Sequence, residues 1–336
     1  MERMATLREG TLVNLPKGEL VNGRFCIVRK VGEGGCGAVY EVFDQSLNTR
    51  AALKAEANDV SGGSVLKLEV EVLKRLRSCM FVPHVIHSGK RSAYSYVVMT
   101  LLGPSLQHLW KIRCAGRPLS ESTTVRIGIQ ALLGIKQLHD VGFVHRDIKP
   151  TNFAMALGDG ADGRFVHLID FGLARAYVTR DANGEQIIRP PRPDGQVLFR
   201  GTIRYCSPNT LLRKEQGRHD DIWSLMYMLV EISGGLPWSK TKEMDREKMR
   251  QIKQNTPDSR LLKNRPAEMY PILDHLRTLD YMMRPNYAFV CSQLCAVMSR
   301  KRYNFADPFD WESSRATNLP AHVVDPNDLV HNDCGL

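Results

Sequence analysis

Long apolar runs are absent from this chain of 336 residues. No stretch reaches the roughly 18 consecutive apolar residues that a membrane-crossing helix needs, so we expect no membrane partner. The first ten residues are mostly polar and carry several charges, and they therefore lack the apolar core of a secretory signal.

Closely spaced cysteines are also missing. The eight cysteines are scattered without a C-x-x-C pair, and the nearest two are Cys291 and Cys295. Zinc sites need tighter clusters, and disulfide frameworks belong to oxidising compartments. We therefore expect reduced thiols and a cytoplasmic location, with the nucleus as a second compartment.

Aromatic residues make up only 7% of the chain and do not interleave with basic residues. Interleaved aromatic and basic residues are the pattern that binds and stacks nucleic-acid bases. Acidic residues are fewer than basic ones, 36 against 46, so the formal charge is +10. Such a surface suits either nucleic acid or acidic and phosphorylated protein. Without the stacking pattern, protein is the stronger expectation.

Strand patterns dominate the first hundred residues and helical periodicity dominates the rest, which predicts an α+β fold. We predict an irregular leader over 1–20, one domain over 21–312 divided near 102–103, and a disordered tail over 313–336. The predicted strands lie at 25–41, 51–55 and 94–99, and the predicted helices at 65–77, 123–139, 221–233, 261–283 and 286–298.

Glycines cluster near the start of the domain. Gly32, Gly34 and Gly37 form G-x-G-x-x-G, and Val39 follows two residues later. Without a Cβ, backbone N–H groups can approach phosphate oxygens closely. A dinucleotide-binding fold would open a helix here, but another strand pattern, AVYEVF, follows. This favours a hairpin over the phosphates of ATP, and a plain glycine turn is the alternative on this segment alone.

A lysine and a glutamate are spaced to form a pair. Lys54 ends the short apolar segment AALK, and Glu69 lies in the helical segment 65–77. Leu66 and Leu73 put Glu69 inside the apolar stripe of that helix. Because an inward-facing carboxylate needs a cation, we predict that Glu69 holds Lys54 toward the nucleotide phosphates.

The most specific motif is HRDIKPTN at 145–152, which matches H-R-D-x-x-x-x-N. Asp147 would accept the proton of a substrate hydroxyl, and Asn152 would hold Mg²⁺. Lys149 stands where serine/threonine kinases place a lysine that meets the γ-phosphate. Asp170 opens DFG after the strand pattern VHLI and would bind Mg²⁺ as well.

On these motifs the sequence resembles a eukaryotic protein kinase over about 22–312. HRDIKPTNF, DFGLAR, LLGPSL and RHDDIWSLMYMLVE resemble the casein kinase I superfamily, and VLKLEVEVLKRL, VGFVHRDIKPTNFAM and DPFDWE resemble its tau-tubulin kinase branch. The resemblance implies a two-lobed fold with a strand-rich N-lobe and a helical C-lobe. It also implies a non-specific serine/threonine protein kinase that uses ATP and Mg²⁺.

The resemblance further implies the residues of the nucleotide site. Val39 and Ala52 should lie above adenine and Ala154 below it. Met99 falls at the gatekeeper position, and Thr100 to Leu102 form the hinge.

Outside the nucleotide site, Asp221 in HDDIW should brace the catalytic loop. The chain departs from most kinases at Asn209, where a glutamate is usual and the casein kinase I group lacks one. It also departs at Cys36, at the tip of the glycine loop.

The segment between Asp170 and Asn209 is rich in arginine, and its basic residues are Arg175, Arg180, Arg189, Arg192, Arg200 and Arg204. A solvated basic loop is one interpretation, and an anion site is the other. The resemblance implies that Arg204 and Lys242, or the nearby Lys240, bind a substrate phosphate. We therefore expect acidic or pre-phosphorylated protein substrates. We also expect a monomer, constitutive activity, and pairing of Thr202 with Asp147.

Three rival interpretations fit these residues less well. A pseudokinase scaffold would need a broken Lys54, Asp147, Asn152 or Asp170, and all four are intact. A small-molecule kinase would not need the segment from DFG to SPN that forms a peptide platform. A nucleic-acid binder would rest on charge alone.

Overall fold

A computed structural model of the protein describes residues 13–34, 37–59, 63–158, 162–241 and 245–312. These residues form two compact units. The first contains the described residues up to Gly103 together with Asp170–Gly172, and the second contains Pro104–Ile169 and the described residues from Leu173 onward. The predicted tail, most of the leader, Cys36 and Lys242 lie outside the described residues, and the predicted domain bounds stay predictions.

The first unit is built on an antiparallel sheet of six strands in the order β1-β2-β3-β4-β6-β5. Apolar residues of its strands, among them Phe25, Ile27 and Leu53, form a buried core. The strands are β1 (Leu20–Val21), β2 (Phe25–Gly34), β3 (Gly37–Asp44), β4 (Thr49–Ala57), β5 (Val85–Lys90) and β6 (Tyr94–Thr100).

One helix, α1 (Val65–Arg75), belongs to this unit. It begins where the Ser64 side chain accepts a hydrogen bond from the Lys67 N–H, as an N-cap does. Leu66, Glu69 and Leu73 are buried on it at the i, i+3, i+7 spacing of one helical face. The predicted helix at 65–77 is confirmed, and its glutamate points inward.

Part of the predicted irregular leader packs against the sheet. Val13 and Leu15 are buried in the same core. The hydroxyl of Tyr40 donates to the Val13 carbonyl at 2.6 Å and accepts from the Leu15 N–H at 3.1 Å. The segment therefore has no regular structure but is fixed by its apolar side chains and by one tyrosine.

The second unit is mostly helical, with α3 and α5 at its buried centre. Its strands pair as β9 with β10, β8 with β11, and β12 with β13. Strand β7 (Leu102–Ser105) spans the boundary of the units. The further strands are β8 (Phe143–Val144), β9 (Phe153–Ala156), β10 (Val166–Leu168), β11 (Arg175–Ala176), β12 (Val178–Arg180) and β13 (Gln186–Ile188). The helices are α2 (Leu106–His108), α3 (Glu121–Asp140), α4 (Pro208–Leu211), α5 (Arg218–Ile232), α6 (Arg246–Asn255), α7 (Asp258–Leu261), α8 (Met269–Arg277) and α9 (Tyr287–Lys301).

These elements confirm the predicted α+β class. The predicted single helix over 261–283 is wrong, because α7 ends at Leu261 and α8 begins only at Met269. Asn264 has a φ of 59° in the gap, which ends a helix, and Pro266 follows. Within the described residues, no helix combines the length and apolar character needed to cross a membrane.

Candidate active site

One face of the sheet collects several predicted nucleotide residues. Val39 of β3 pairs with Lys54 of β4, and Ala52 of β4 pairs with Met99 of β6. Directly opposed residues of antiparallel strands point to the same face, as do residues two apart on one strand. Val39, Ala52, Lys54 and Met99 therefore line one face. Ala154 belongs to the second unit, where it is buried on β9.

The predicted hinge residues lie at the end of strand β6 and the start of strand β7. Thr100 is the last residue of β6 and is exposed, and Leu102 is the first residue of β7. The Thr100 N–H already donates to the His84 carbonyl at 2.9 Å.

The glycine loop is a β-hairpin between β2 and β3, with Gly34 opposite Gly37. Gly37 has a φ of 112°, and a Cβ there would lie 2.2 Å from the Ala55 carbonyl oxygen, so only glycine fits. Gly32 and Gly34 instead face open space within 4 Å. Their bare backbone leaves room that a Cβ would fill, which suits close approach by phosphate groups.

Lys54 and Glu69 come together in the first unit. The Lys54 Nζ donates to the Glu69 Oε2 at 2.6 Å and to the Asp170 Oδ1 at 3.3 Å. Burial raises the pKa of the Glu69 carboxyl, which the charge of Lys54 opposes and that of Asp170 reinforces. The ammonium thus lies between two carboxylates, and the one on Asp170 is 40% exposed.

The catalytic loop holds Asp147 from several sides. Its Oδ1 accepts from the Thr202 hydroxyl at 2.7 Å, and its Oδ2 lies 2.7 Å from the Lys149 Nζ. The Lys149 ammonium also donates to the Thr202 hydroxyl at 3.2 Å, and the Asn152 amide donates to the Asp147 carbonyl at 2.8 Å. The structure therefore brings Asp147, Lys149, Asn152 and Thr202 into one hydrogen-bonded group.

Asp221, on the first turn of buried helix α5, fixes the loop from beneath. It accepts from the His145 N–H at 2.7 Å, the Arg146 N–H at 2.9 Å and the His139 ring at 2.9 Å. Arg146 has a φ of 69°, an uncommon conformation for a residue with a long side chain. The prediction that Asp221 braces the catalytic loop is confirmed by these hydrogen bonds.

Gly201 explains how Thr202 comes so near the loop. Its φ is 103°, and a Cβ would lie 2.4 Å from the Arg146 carbonyl oxygen. Only glycine allows the activation segment to pass this close to the residue before Asp147.

The predicted anion site has a partner that the sequence did not reveal. Arg204 donates to the Glu231 Oε1 at 2.8 Å and to the Ser239 carbonyl at 3.1 Å. Glu231 is buried on α5. The Arg204 charge is therefore balanced within the protein, while Lys240 nearby is exposed.

Sequence reasoning also missed Lys253 of α6. This buried lysine donates to the Ile203 carbonyl at 2.7 Å and the Cys206 carbonyl at 2.6 Å, which fixes the end of the activation segment. Asn209, where most kinases have glutamate, contacts the His219 ring at 3.1 Å. Nothing in the local pattern around Lys253 signals these contacts, since they span about 50 residues.

The donors predicted for magnesium suit that ion. Mg²⁺ prefers oxygen ligands and usually takes one or two from the protein. Asp170 offers a half-exposed carboxylate. The Asn152 amide nitrogen is used on Asp147, and its Oδ1 receives no hydrogen bond from the described residues. No group of three or more His, Cys, Asp or Glu in the described ranges could hold a metal by itself.

Comparison with known families gives one match, the protein kinase domain, over residues 25–304. The chain belongs to the protein kinase family. The strand-rich and helical units are thus the two lobes of the predicted kinase fold, which is confirmed. The family in general uses ATP and Mg²⁺ and modifies protein substrates.

Its relatives include kinases of two organisms. A putative serine/threonine-protein kinase of Caenorhabditis elegans is 41% identical over 90% of this chain and 85% of its own length. A probable serine/threonine-protein kinase of Dictyostelium discoideum is 39% identical over 89% of this chain and 59% of its own length. A C. elegans protein named as an inactive tau-tubulin kinase is 36% identical over 73% of this chain and 86% of its own length.

Proposed function

We propose that this chain is an active serine/threonine protein kinase of the tau-tubulin branch of the casein kinase I superfamily. The hydrogen-bonded group of Asp147, Lys149 and Thr202 carries the proposal. A lysine at position 149 is typical of kinases that modify serine and threonine. The relative named as a tau-tubulin kinase supports the assignment to that branch.

The chain's own residues divide the work of phosphoryl transfer. Lys54, oriented by Glu69, binds the α- and β-phosphates of ATP, and the backbone at Gly32 and Gly34 approaches them closely. Asp170 and Asn152 would hold Mg²⁺, which would supply positive charge that offsets the charge on the transferring phosphoryl group. Asp147 orients the substrate hydroxyl and accepts its proton, while the Lys149 ammonium meets the γ-phosphate.

An activity assay tests this proposal directly. Wild type with Mg²⁺ and ATP should phosphorylate serine or threonine in a protein substrate, whereas Asp147→Asn should lose about 100-fold or more of that rate because general-base and positioning effects are lost. Nucleotide binding should persist in Asp147→Asn. Asp274→Asn, which alters an exposed carboxylate, is the matched control.

A pseudokinase scaffold is the second candidate, and the inactive relative favours it. It predicts that wild type binds nucleotide but transfers no phosphate to any substrate. Transfer that disappears in Asp147→Asn would exclude this candidate, and absence of transfer by wild type would refute ours.

We also propose a preference for acidic or primed sites. Arginine forks suit phosphate, and exposed basic residues of the segment such as Arg200 support the idea. Because Glu231 already balances Arg204, Arg204 lends less support than its identity suggests. A peptide panel with and without an upstream phosphoserine tests the preference, and equal turnover of both forms would refute it.

A cytoplasmic and nuclear location and a monomeric state complete the proposal. The six described cysteines carry free thiols, as proteins of reducing compartments do. Imaging of the tagged chain and its mass in solution by light scattering test these two points. Secretion or a stable dimer would refute them.

A further inference from the structure

Two arginines of the helical lobe pair with one buried glutamate, and a third arginine is linked to the same segment. Glu215 lies between α4 and α5, and its side chain is only 2% exposed. Arg192 donates to it from Nε at 2.6 Å and from Nη2 at 2.9 Å, and the Arg175 Nε lies 3.2 Å away. The Arg146 Nε donates to the Leu173 carbonyl at 2.7 Å, two residues before Arg175, and the charges of Glu215, Arg175 and Arg192 shift the pKa of Arg146. We call these four residues the Glu215 cluster.

The cluster joins three parts of the chain that catalysis needs in fixed positions. Arg146 precedes Asp147 in the catalytic loop. Arg175 lies on β11, at the start of the activation segment, and pairs with Val144 of β8 just before that loop. Arg192 lies in the middle of the segment. The Glu215 carboxylate therefore connects the start of the activation segment, at Arg175, to its middle, at Arg192.

Without an anion these cations would repel one another. Burial and the charges of Arg175 and Arg192 lower the pKa of Arg146 to about 10, while Glu215 opposes this shift. Burial alone would raise the pKa of Glu215, but the hydrogen bonds and charges of Arg192 and Arg175 lower it. The lowered pKa of Glu215 favours its ionised form, which pairs with Arg192 and Arg175.

In many kinases a phosphate added to the activation segment plays this part, because arginines gather around it and order the segment. Here Glu215 supplies the negative charge from within the fold. Two hydroxyls of the segment are engaged elsewhere, since Thr202 donates to Asp147 and Tyr177 donates to the His139 carbonyl.

We propose that Glu215 is a positioning residue that replaces an activation-segment phosphate, and that it holds Arg175 on β11 and thereby keeps the paired β8 and the catalytic loop with Asp147 in place. This inference rests on the kinase activity proposed above. Its consequence is that protein free of phosphate is fully active. Removing Glu215 should turn the cluster into a binding site for a free anion.

The test compares Glu215→Ala and Glu215→Gln with wild type, all shown by mass to carry no phosphate. We expect kcat to fall about tenfold or more in both variants, equivalent to about 1.4 kcal/mol of transition-state free energy. We expect KM for ATP to change less than about twofold, because the nucleotide residues are untouched. Glu268→Gln, which also removes a carboxylate from an arginine pair, should retain wild-type kcat.

Rescue by an anion separates positioning from simple loss of stability. Inorganic phosphate or acetate, at constant ionic strength, should restore much of the kcat of Glu215→Ala, and should not restore Asp147→Asn. Phosphate should also raise the melting temperature of Glu215→Ala more than that of wild type, which is a readout independent of activity. Glu215→Gln keeps the side-chain shape and serves if the alanine variant does not fold.

Wild-type kcat in folded Glu215→Gln would overturn the inference, as would a folded Glu215→Ala that gains neither activity nor thermal stability from phosphate. A wild type that transfers no phosphate while Glu215→Ala is still stabilised by phosphate would refute the proposed activity alone. In that case the melting data would uphold the anion role of Glu215 within the fold.

Discussion

Asp221→Asn should both destabilise the protein and slow catalysis. The asparagine oxygen can keep the two bonds that the Asp221 Oδ2 accepts, from the His145 N–H and the His139 ring. Its amide nitrogen would then face the Arg146 N–H, which now donates to Oδ1 at 2.9 Å. One charge-assisted hydrogen bond is lost, and two donors oppose each other in a buried site.

The magnitude follows from these contacts. Losing a hydrogen bond to a charged acceptor and leaving a buried donor unsatisfied should lower the free energy of unfolding by about 2–5 kcal/mol. At about 2 °C per kcal/mol for a large domain, the melting temperature should fall by roughly 4–10 °C. Because Arg146 is held at a φ of 69° next to Asp147, kcat should also fall by about 100-fold.

Differential scanning fluorimetry and a kinase assay measure the two effects, and Asp274→Asn is a surface control. If Asp221→Asn melted within about 1 °C of wild type and also kept wild-type kcat, the reasoning that this carboxylate braces the loop would be refuted. A large fall in kcat with unchanged melting would show that the brace acts on geometry rather than on stability.

Three further predictions follow from single residues. Because burial raises the pKa of Glu69, its protonation should release Lys54 and lower kcat/KM for ATP at a higher pH than for an ordinary glutamate. Glu69→Gln should have a lower kcat/KM at every pH and should not lose more of it in acid. A variant whose pH profile matched that of wild type would contradict this prediction. Gly201→Ala, with its Cβ 2.4 Å from the Arg146 carbonyl, should lower kcat by about tenfold or more through misplaced Thr202, whereas wild-type kinetics would refute the steric argument. Burial lowers the pKa of His139, so the stability due to its neutral form is present above about pH 6.5 and is lost as pH falls. Thermal melts should therefore show a melting temperature that decreases as pH falls below this value. An equal decrease in His139→Gln would mean that other groups cause it.

The motifs predicted much of the site because their spacing is local. Helical periodicity alone put Glu69 on the inward face of α1, whereas Ala52 was predicted only from the resemblance to protein kinases. The catalytic loop needed no tertiary knowledge either, since Asp147 and Asn152 are five residues apart and meet within one turn.

Contacts between distant segments could not be predicted in this way. Lys253 donates to the Ile203 carbonyl from helix α6. From sequence alone, the segment around Lys253 resembles an exposed amphipathic helix. The helix predicted over 261–283 failed for the opposite reason, because apolar periodicity continued through Asn264 and Pro266, where the backbone does not.

The arginine-rich activation segment also depends on contacts with distant residues. From sequence it is predicted to be a surface with few acidic residues, but three of its six arginines pair with glutamates that follow it in the chain. Glu215 pairs with both Arg175 and Arg192, and Glu231 pairs with Arg204. Both glutamates are buried, and a buried carboxylate is stable only with such partners. The positive charge that a substrate meets is therefore smaller than the sequence implies, because several of the arginines are used to hold the segment in place.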